Sequence, residues 1–393
     1  MEKQRRYSVP FFGAYFFYYA GYCIFSSYIV LYLTEQQYSA TLCGAITSLC
    51  MAANLLLEPV CGYITDTFMT TRRFLALSIG AITLLCLFCT RYAASPFLCV
   101  PALILTAGLA YPFSQLMDAW VNCCRPLDDR LVYSRIRAGG SIGFALTSIL
   151  AGYYFRFFGW GSYFMVQAAC FWVMLPFLHV LPSIELTNRK KAETHSLSIA
   201  ESFGVLASNR RFCLCLILCT CYWFSHRPVG SYLSLLVQAR AGDASTFGNI
   251  CGVGAVVEFF ALMLLGLLQR RRPLPLFLIM LGGLVTNLAR PLLILLLPGI
   301  WPLYLGQILQ SLSFACYLSG SVECFTRTAD PRIRSFCISM GLTVSSVAGT
   351  VLANLLGGSL CDLAGVAALP AFSLAVAAAN LVFLLLNRRA IFE

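Results

Sequence analysis

Charge is scarce in this chain. Only 11% of its 393 residues are Asp, Glu, Lys or Arg, less than half the roughly 25% of an average soluble domain. At the same time 59% are hydrophobic and the mean hydropathy is +0.79. A water-soluble fold of this length cannot hide so much apolar surface, so the composition excludes one. Histidine is scarcer still, with three copies, and none stands near a cysteine pair at finger-type spacing, which argues against zinc. No nucleophile, metal or cofactor constellation can be found, so neither an enzyme nor a cofactor is expected. The basic residues form no single patch, so the net charge of +11 does not point to nucleic acid.

What is present is a series of apolar runs, each long enough to cross roughly 30 Å of hydrocarbon, about 20 helical residues. Twelve are found, at approximately 8–33, 39–65, 74–92, 96–121, 134–157, 160–181, 212–237, 244–268, 273–296, 300–326, 334–360 and 367–387. They are continuously apolar rather than alternating, which predicts helices and not a barrel. The first run follows a basic start and exceeds the core of a signal peptide, so it is read as an uncleaved first span.

With twelve spans counted, the basic clusters all fall on one side. They are Lys3/Arg5/Arg6, Arg72/Arg73, Arg125/Arg130/Arg135/Arg137, Arg189/Lys190/Lys191, Arg210/Arg211, Arg270/Arg271/Arg272, Arg327/Arg332/Arg334 and Arg388/Arg389. Only Arg91, Arg156 and Arg240 fall on the other side, and Arg227 and Arg290 lie within spans. By the positive-inside rule both termini are cytoplasmic. Most of the nineteen cysteines sit inside spans, where a thiol behaves as a small hydrophobe.

A polar connection divides the series into an N-terminal half (1–183), a cytoplasmic loop (184–211) and a C-terminal half (212–393). Arg135-Ile136-Arg137 opens the fifth span and Arg332-Ile333-Arg334 the eleventh, about half the chain apart, and at the same offset Gly152 matches Gly349. Placement at equivalent helix starts favours an internal repeat over chance. The expected fold is all-α and integral to the membrane, two six-helix halves related by pseudo-symmetry around a central cavity.

Inside the spans stand Glu58, Asp118, Arg137, His226, Arg227, Glu258 and Arg290. A charge at the bilayer centre costs about 2.5–3.5 kcal/mol on insertion scales, so such residues persist mainly where they line a polar pathway. Asp118 near the inner end of span four and Arg137 near the inner start of span five are folded together by a short loop, and an arginine fork beside an acid can hold a hydroxyl-rich or anionic solute. A structural ion pair or an interfacial anchor is the competing reading. Glu258 in span eight and Arg290 in span nine can form either a proton-coupling pair or a static one. His226 precedes Arg227 and Pro228, which bends the helix, and can be a ligand or a packing residue.

Four segments resemble the major facilitator superfamily and, within it, the lactose-permease-like and phenylpropionate-permease-like proton symporters. Glu58 through Asp66, followed by Arg72 and Arg73, is similar to the superfamily's Gly-x-x-x-Asp loop, although Thr67 stands where an Arg is usual. Tyr133 through Phe144 resembles the branch's Arg-x-Arg-x-x-Gly-Ser-x-Gly-Phe signature. Ser225-His226 and the stretch from Gly254 to Glu258 are also similar, and Arg290 falls where these permeases carry a ninth-span arginine. The resemblance implies Asp118 and Arg137 as solute ligands, Phe144 in place of a sugar-stacking Trp, and Asp66, Arg72 and Arg73 as a conformational latch. It implies Glu258 and Arg290 in proton coupling. In span ten the permeases' coupling His and Glu correspond to Gln310 and Ser313, so Glu258, then Glu58 or His226, must carry any coupling. Substrate contacts are expected from Asp118, Arg137, Phe144, His226 and Gln310. Gly139, Gly140, Gly143 and Gly152 are expected to let helices approach closely.

The expected activity is proton-coupled uptake of a small polar organic solute, a sugar, glycoside or aromatic acid, by a monomer in the cell membrane. A drug or metabolite efflux antiporter is the alternative, lowered by Gly-Gly-Ser-Ile-Gly-Phe in span five where antiporters carry a Gly-Pro element. A non-transporting receptor of the same fold is a further reading.

Overall fold

The computed structural model of the chain describes residues 7–124, 131–182, 204, 206, 208–271, 274–329 and 334–392. Among these residues there are helices and no strands, as hydrocarbon demands, since only a helix satisfies its backbone groups within one span. The helices are α1 (Ser8–Glu35), α2 (Ala40–Thr67), α3 (Thr71–Arg91), α4 (Pro96–Ala110), α5 (Phe113–Cys124), α6 (Tyr133–Phe158) and α7 (Tyr163–Val180). They continue with α8 (Arg210–Ser231), α9 (Leu233–Ala239), α10 (Ala244–Arg271), α11 (Leu276–Leu296), α12 (Trp301–Thr328), α13 (Arg334–Ala364), α14 (Ala368–Leu386) and α15 (Arg388–Phe392).

Helix occupies every one of the predicted stretches. Among the described residues 10 helical spans are long and apolar enough to cross a membrane; α6 and α12 are as long but richer in charged and polar side chains. Helix starts follow from local capping chemistry. Ser39, Thr70 and Asn209 each accept a hydrogen bond from a backbone N–H three residues on, at 3.2, 3.4 and 3.1 Å, relieving the orphan donors of a first turn. Two predicted spans are broken. Span four stops at Ala110 and resumes at Phe113 because Pro112 cannot continue the ladder, and the Tyr111 carbonyl at the break accepts from Tyr18 Oη at 3.2 Å. Span seven stops at Ser231, just after Pro228, and resumes at Leu233.

The chain falls into two compact units. The first holds α1–α7 together with Asp243–Gly252; the second holds the later residues up to Gly242 and from Val253 onward. The helix α10 therefore begins in one unit and continues in the other. Within the first unit α1 packs chiefly on α6 and α7, and within the second α8 packs chiefly on α13 and α14. The same order of pairing thus recurs in both. Of the sequence expectations, Lys3, Arg5, Arg6, Arg125, Arg130, Arg189, Lys190, Lys191, Arg272, Arg332 and most of the 184–211 loop lie outside the described residues, while Arg210 and Arg211 start α8 rather than ending a loop.

Small residues set the spacing of α1 and α6. A Cβ on Gly139 would stand 2.6 Å from the Phe12 carbonyl oxygen, and one on Gly143 would strike the Phe16 backbone. With glycine at both positions, the two backbones come into contact. Gly152 plays the same part against the start of α10, where a Cβ would meet the Ala244 carbonyl at 2.5 Å.

Candidate solute site

The first unit gathers two of its three membrane charges, Asp118 and Arg137, around a tyrosine stripe. Tyr15, Tyr18, Tyr19 and Tyr22 recur on α1 at the spacing that places side chains on one helix face. Tyr15 is buried and donates its hydroxyl to the Asp118 carboxylate of α5, which Tyr133 also reaches. Arg137 of α6 donates Nη2 to the Tyr19 hydroxyl at 2.5 Å, and that hydroxyl is 2.8 Å from Ser114 Oγ. Its guanidinium carbon lies 4.3 Å from the centre of the Tyr19 ring and 5.8 Å from that of Tyr15, a cation–π arrangement worth about 0.5–2 kcal/mol. Asp118 and Arg137 are within electrostatic reach of one another, and both are half-buried.

Each charge is thus held by tyrosine hydroxyls: a solute hydroxyl can replace the donor on Asp118, and a solute hydroxyl or carboxylate the acceptor on Arg137. Gly140 makes the room: a Cβ there would stand 2.6 Å from the Tyr19 ring and 2.8 Å from Arg137 Nη1.

The second unit carries a different network. Asn287 of α11 donates Nδ2 to Ser225 Oγ at 2.7 Å, which turns its carbonyl oxygen towards His226 Nδ1 at 3.3 Å and places the ring proton there. Arg290, 2% exposed, donates to the His226 carbonyl at 3.4 Å and to Gln307 Oε1 of α12 at 3.0 Å. Tyr222 stacks on Tyr317 with centroids 3.8 Å apart and planes within 3°, and lies over His226 at 5.2 Å. The charges of Arg290, Glu258 and Arg227 all fall within reach of Tyr222, so Glu258 and Arg290 share one neighbourhood. Arg227 lies over the Trp223 ring at 4.7 Å.

The remaining expected residues are scattered. Glu58 is half-buried on α2 and accepts from Asn54 at 3.4 Å one turn back. Asp66 is exposed at the end of α2. Arg72 donates to the His179 carbonyl at the end of α7 at 3.3 Å, a cation at a helix C-terminus, and Arg73 is exposed on the first turn of α3. Phe144 is half-buried and makes no ring contact among the described residues; its carbonyl accepts from Ser148 at 2.9 Å. Gln310 is half-buried without a side-chain hydrogen bond among the described residues, and the amide that meets Arg290 is Gln307, one turn earlier. Ser313 is buried, donating to the Gly283 carbonyl at 2.7 Å. Among the described residues no group of three or more His, Cys, Asp or Glu side chains converges as a metal site.

Tyr15, Tyr19, Asn287 and Gln307 were not singled out from the sequence. The tyrosines carried a legible signal, their spacing along one face. Asn287 carried another, standing three residues before Arg290 on the same face of α11.

The comparisons with known proteins agree on the class. The sequence model of the MFS_1 like family matches residues 10–372. No curated protein matches the chain. Among solved structures, the nucleoside transporter NupG is similar at a TM-score of 0.83, with 15% identity over 99% of this chain and 100% of that one. The peptide transporter POT in complex with sulfate is similar at 0.76, with 15% identity over 99% of this chain and 96% of that one. A bacterial homolog of the human lysosomal transporter Spinster follows at 0.69, with 14% identity over 100% and 97%. These likenesses show a shared fold of multi-span transporters. With a family match that runs across nearly the whole chain, this is a membrane transporter, not an enzyme, and it belongs to the MFS_1 like family.

Proposed function

We propose that the chain takes up a small polar organic solute that combines a flat ring with hydroxyl or carboxylate groups, and that Asp118, Arg137, Tyr15 and Tyr19 hold it. The single observation that carries this reading is the tyrosine cluster of the first unit. Its ring faces suit stacking, its hydroxyls suit exchange with solute hydroxyls, and the arginine fork suits an anionic or polyol edge. Aromatic glycosides and aromatic acids fit that description. So do nucleosides, and the similarity to a structure described as a nucleoside transporter makes them the first class to test.

In this reading the chain has twelve spans in two six-helix halves, 1–183 and 212–393, joined by 184–211. Both termini are cytoplasmic, and a monomer works in the cell membrane by exposing its site to each side in turn. Uptake is coupled to protons through Glu258 beside Arg290, with Glu58 as a further carrier. His226 and Gln310 add solute contacts in the second half, Phe144 in the first. Asp66, Arg72 and Arg73 serve as a latch between access states.

The test is transport by the purified chain in proteoliposomes with an imposed inward proton gradient. Nucleosides, aromatic glycosides, free sugars and aromatic acids are offered as labelled solutes. Accumulation of a ring-bearing hydroxylated solute, abolished by Arg137→Gln and no longer driven by the gradient in Glu258→Gln, is the expected result. Failure to accumulate or exchange any solute rejects the proposal.

A further inference from the structure

At one end of the second unit the last turn of α10, the start of α11 and the last part of α12 form a half-open cavity of about 260 Å³, lined by Gln269, Leu274, Leu276, Ile279, Ser319, Glu323 and Arg327. Its chemistry is two-sided. Leu276 and Ile279 are buried and form an apolar wall, while Gln269, Ser319 and Arg327 supply polar groups. Arg327 spends only Nε on Glu323 Oε1, at 2.7 Å one turn back along α12, and its two terminal nitrogens make no other hydrogen bond among the described residues. That leaves a planar pair of donors, the geometry that matches a phosphate.

The surroundings extend both sides of this chemistry. Arg270 and Arg271 are exposed on the last turn of α10. Arg388 lies with its guanidinium 4.4 Å from the Phe277 ring, next to the wall residue Leu276. Among the described residues Glu323 is the one acidic side chain lining the cavity. The same stretch of chain carries exposed leucines, Leu267, Leu268, Leu274 and Leu278, between 43% and 50% accessible, and Leu274 itself lines the cavity. Positive-inside anchoring accounts for exposed arginines at a helix end. It does not account for a cavity with a serine and a glutamine inside it, on a stretch of chain that carries both exposed arginines and exposed leucines.

We infer that this cavity is a binding site for an anionic phospholipid, its phosphodiester on Arg327 with Gln269 and Ser319, its acyl chains along Leu274 and Leu278. The charge complement selects a net negative headgroup, with Arg270 and Arg271 following Gln269 on α10, over a zwitterionic one. The exposed leucines beside it select a lipid over a free phosphate ion, which has nothing to place there. The site is independent of the solute cluster and lies wholly in the second unit.

The test is native mass spectrometry of the full chain in detergent, titrated with phosphatidylglycerol, phosphatidylcholine or inorganic phosphate. Phosphatidylglycerol is expected to bind at least tenfold more tightly than phosphatidylcholine, and millimolar inorganic phosphate to leave it bound. Arg327→Gln is expected to weaken phosphatidylglycerol about fivefold, the effect of one basic contact at an anionic headgroup, while Arg211→Gln at the start of α8 leaves it unchanged. Ser319→Leu, which fills the cavity without touching charge, is expected to weaken it at least as much, with melting curves confirming folded protein. Equal retention of the two lipids, displacement by phosphate, an Arg327→Gln indistinguishable from Arg211→Gln, or a folded Ser319→Leu that binds as the unaltered chain does would each overturn the assignment.

Discussion

The polar networks of the two units hold their charges in opposite ways. In the first, Asp118 and Arg137 are half-buried and satisfied by tyrosine hydroxyls. In the second, Arg290 is 2% exposed and its terminal nitrogens donate to a backbone carbonyl and an amide oxygen, with Asn287 fixing His226 in turn. A phenol can surrender its partner to an incoming hydroxyl with little rearrangement. A backbone carbonyl in a packed helix cannot. The difference separates a set of groups free to trade partners from a set that fixes helix packing around a charge, and substitutions in the two sets are predicted to fail in different assays.

The largest effect on stability is expected at Arg290. Arg290→Ala strands Gln307 Oε1 in a buried region, and losing a hydrogen bond to a charged group there costs roughly 2–3 kcal/mol. Its thermal melt in detergent should fall clearly below that of Arg137→Gln, whose partners are hydroxyls at a half-buried site. A lower melt for Arg137→Gln would erase the distinction between the two networks.

Next come two neighbouring glycines of α6 that sharpen it. Gly143→Ala drives a methyl group into the Phe16 backbone, and overpacking of this kind costs about 1–3 kcal/mol, so the melt falls. Gly140→Ala meets the ends of two side chains, Tyr19 and Arg137, which can shift. There the expected loss is a several-fold weaker solute affinity with little change in melting. Reversal of this pattern would mean that the Tyr19–Arg137 contact belongs to packing.

How much of this was legible follows from the kind of signal each residue carries. The helices were legible because a continuous apolar run has few other ways to satisfy its backbone in hydrocarbon. Asp118 and Arg137 were legible because charge in such a run is costly and a short loop brings the two helix ends together. The break at Pro112 was hidden, since hydropathy averaged over a span passes over a single residue, whereas Pro228 signalled the one at Tyr232. Tyr15 and Tyr19 read as ordinary apolar filling until their shared helix face is considered. Gln307 was not singled out because its contact with Arg290 depends on how α11 and α12 face each other, which span-level reading does not supply. That the first turns of α10 pack with α6, through Gly152 and Gly248, depends on tertiary contact alone.

The smallest effect is expected at Asp243, outside the spans. It caps α10, accepting from the Thr246 N–H at 2.8 Å and from the Ser245 and Thr246 hydroxyls at 2.7 and 2.9 Å, and it pairs with Arg156 at 3.0 Å. Desolvation pushes its carboxyl up, but these hydrogen bonds and the Arg156 charge outweigh it and hold the group down at about 2. A depressed carboxyl stabilises the fold above its unfolded value near 4 and loses that contribution as pH falls through about 2. Asp243→Ala should therefore cost about 1 kcal/mol, the value of a cap, and the difference should stay level from pH 5 to pH 8. The ion pair adds little, because its side chains are 51% and 40% exposed. A difference that changes across that range, measured by melts at pH 5, 6.5 and 8, would show another titrating group at this corner.

The most direct test of the central claim is equilibrium binding of the transported solute, measured by calorimetry on purified unaltered chain, Arg137→Lys and Arg137→Gln. If the arginine fork and its tyrosines hold the solute, Arg137→Lys keeps the charge but loses the planar donors, and affinity falls at least tenfold, with a further fall in Arg137→Gln and melting temperatures nearly unchanged. Affinity that is the same in all three proteins would place the solute elsewhere and contradict the account.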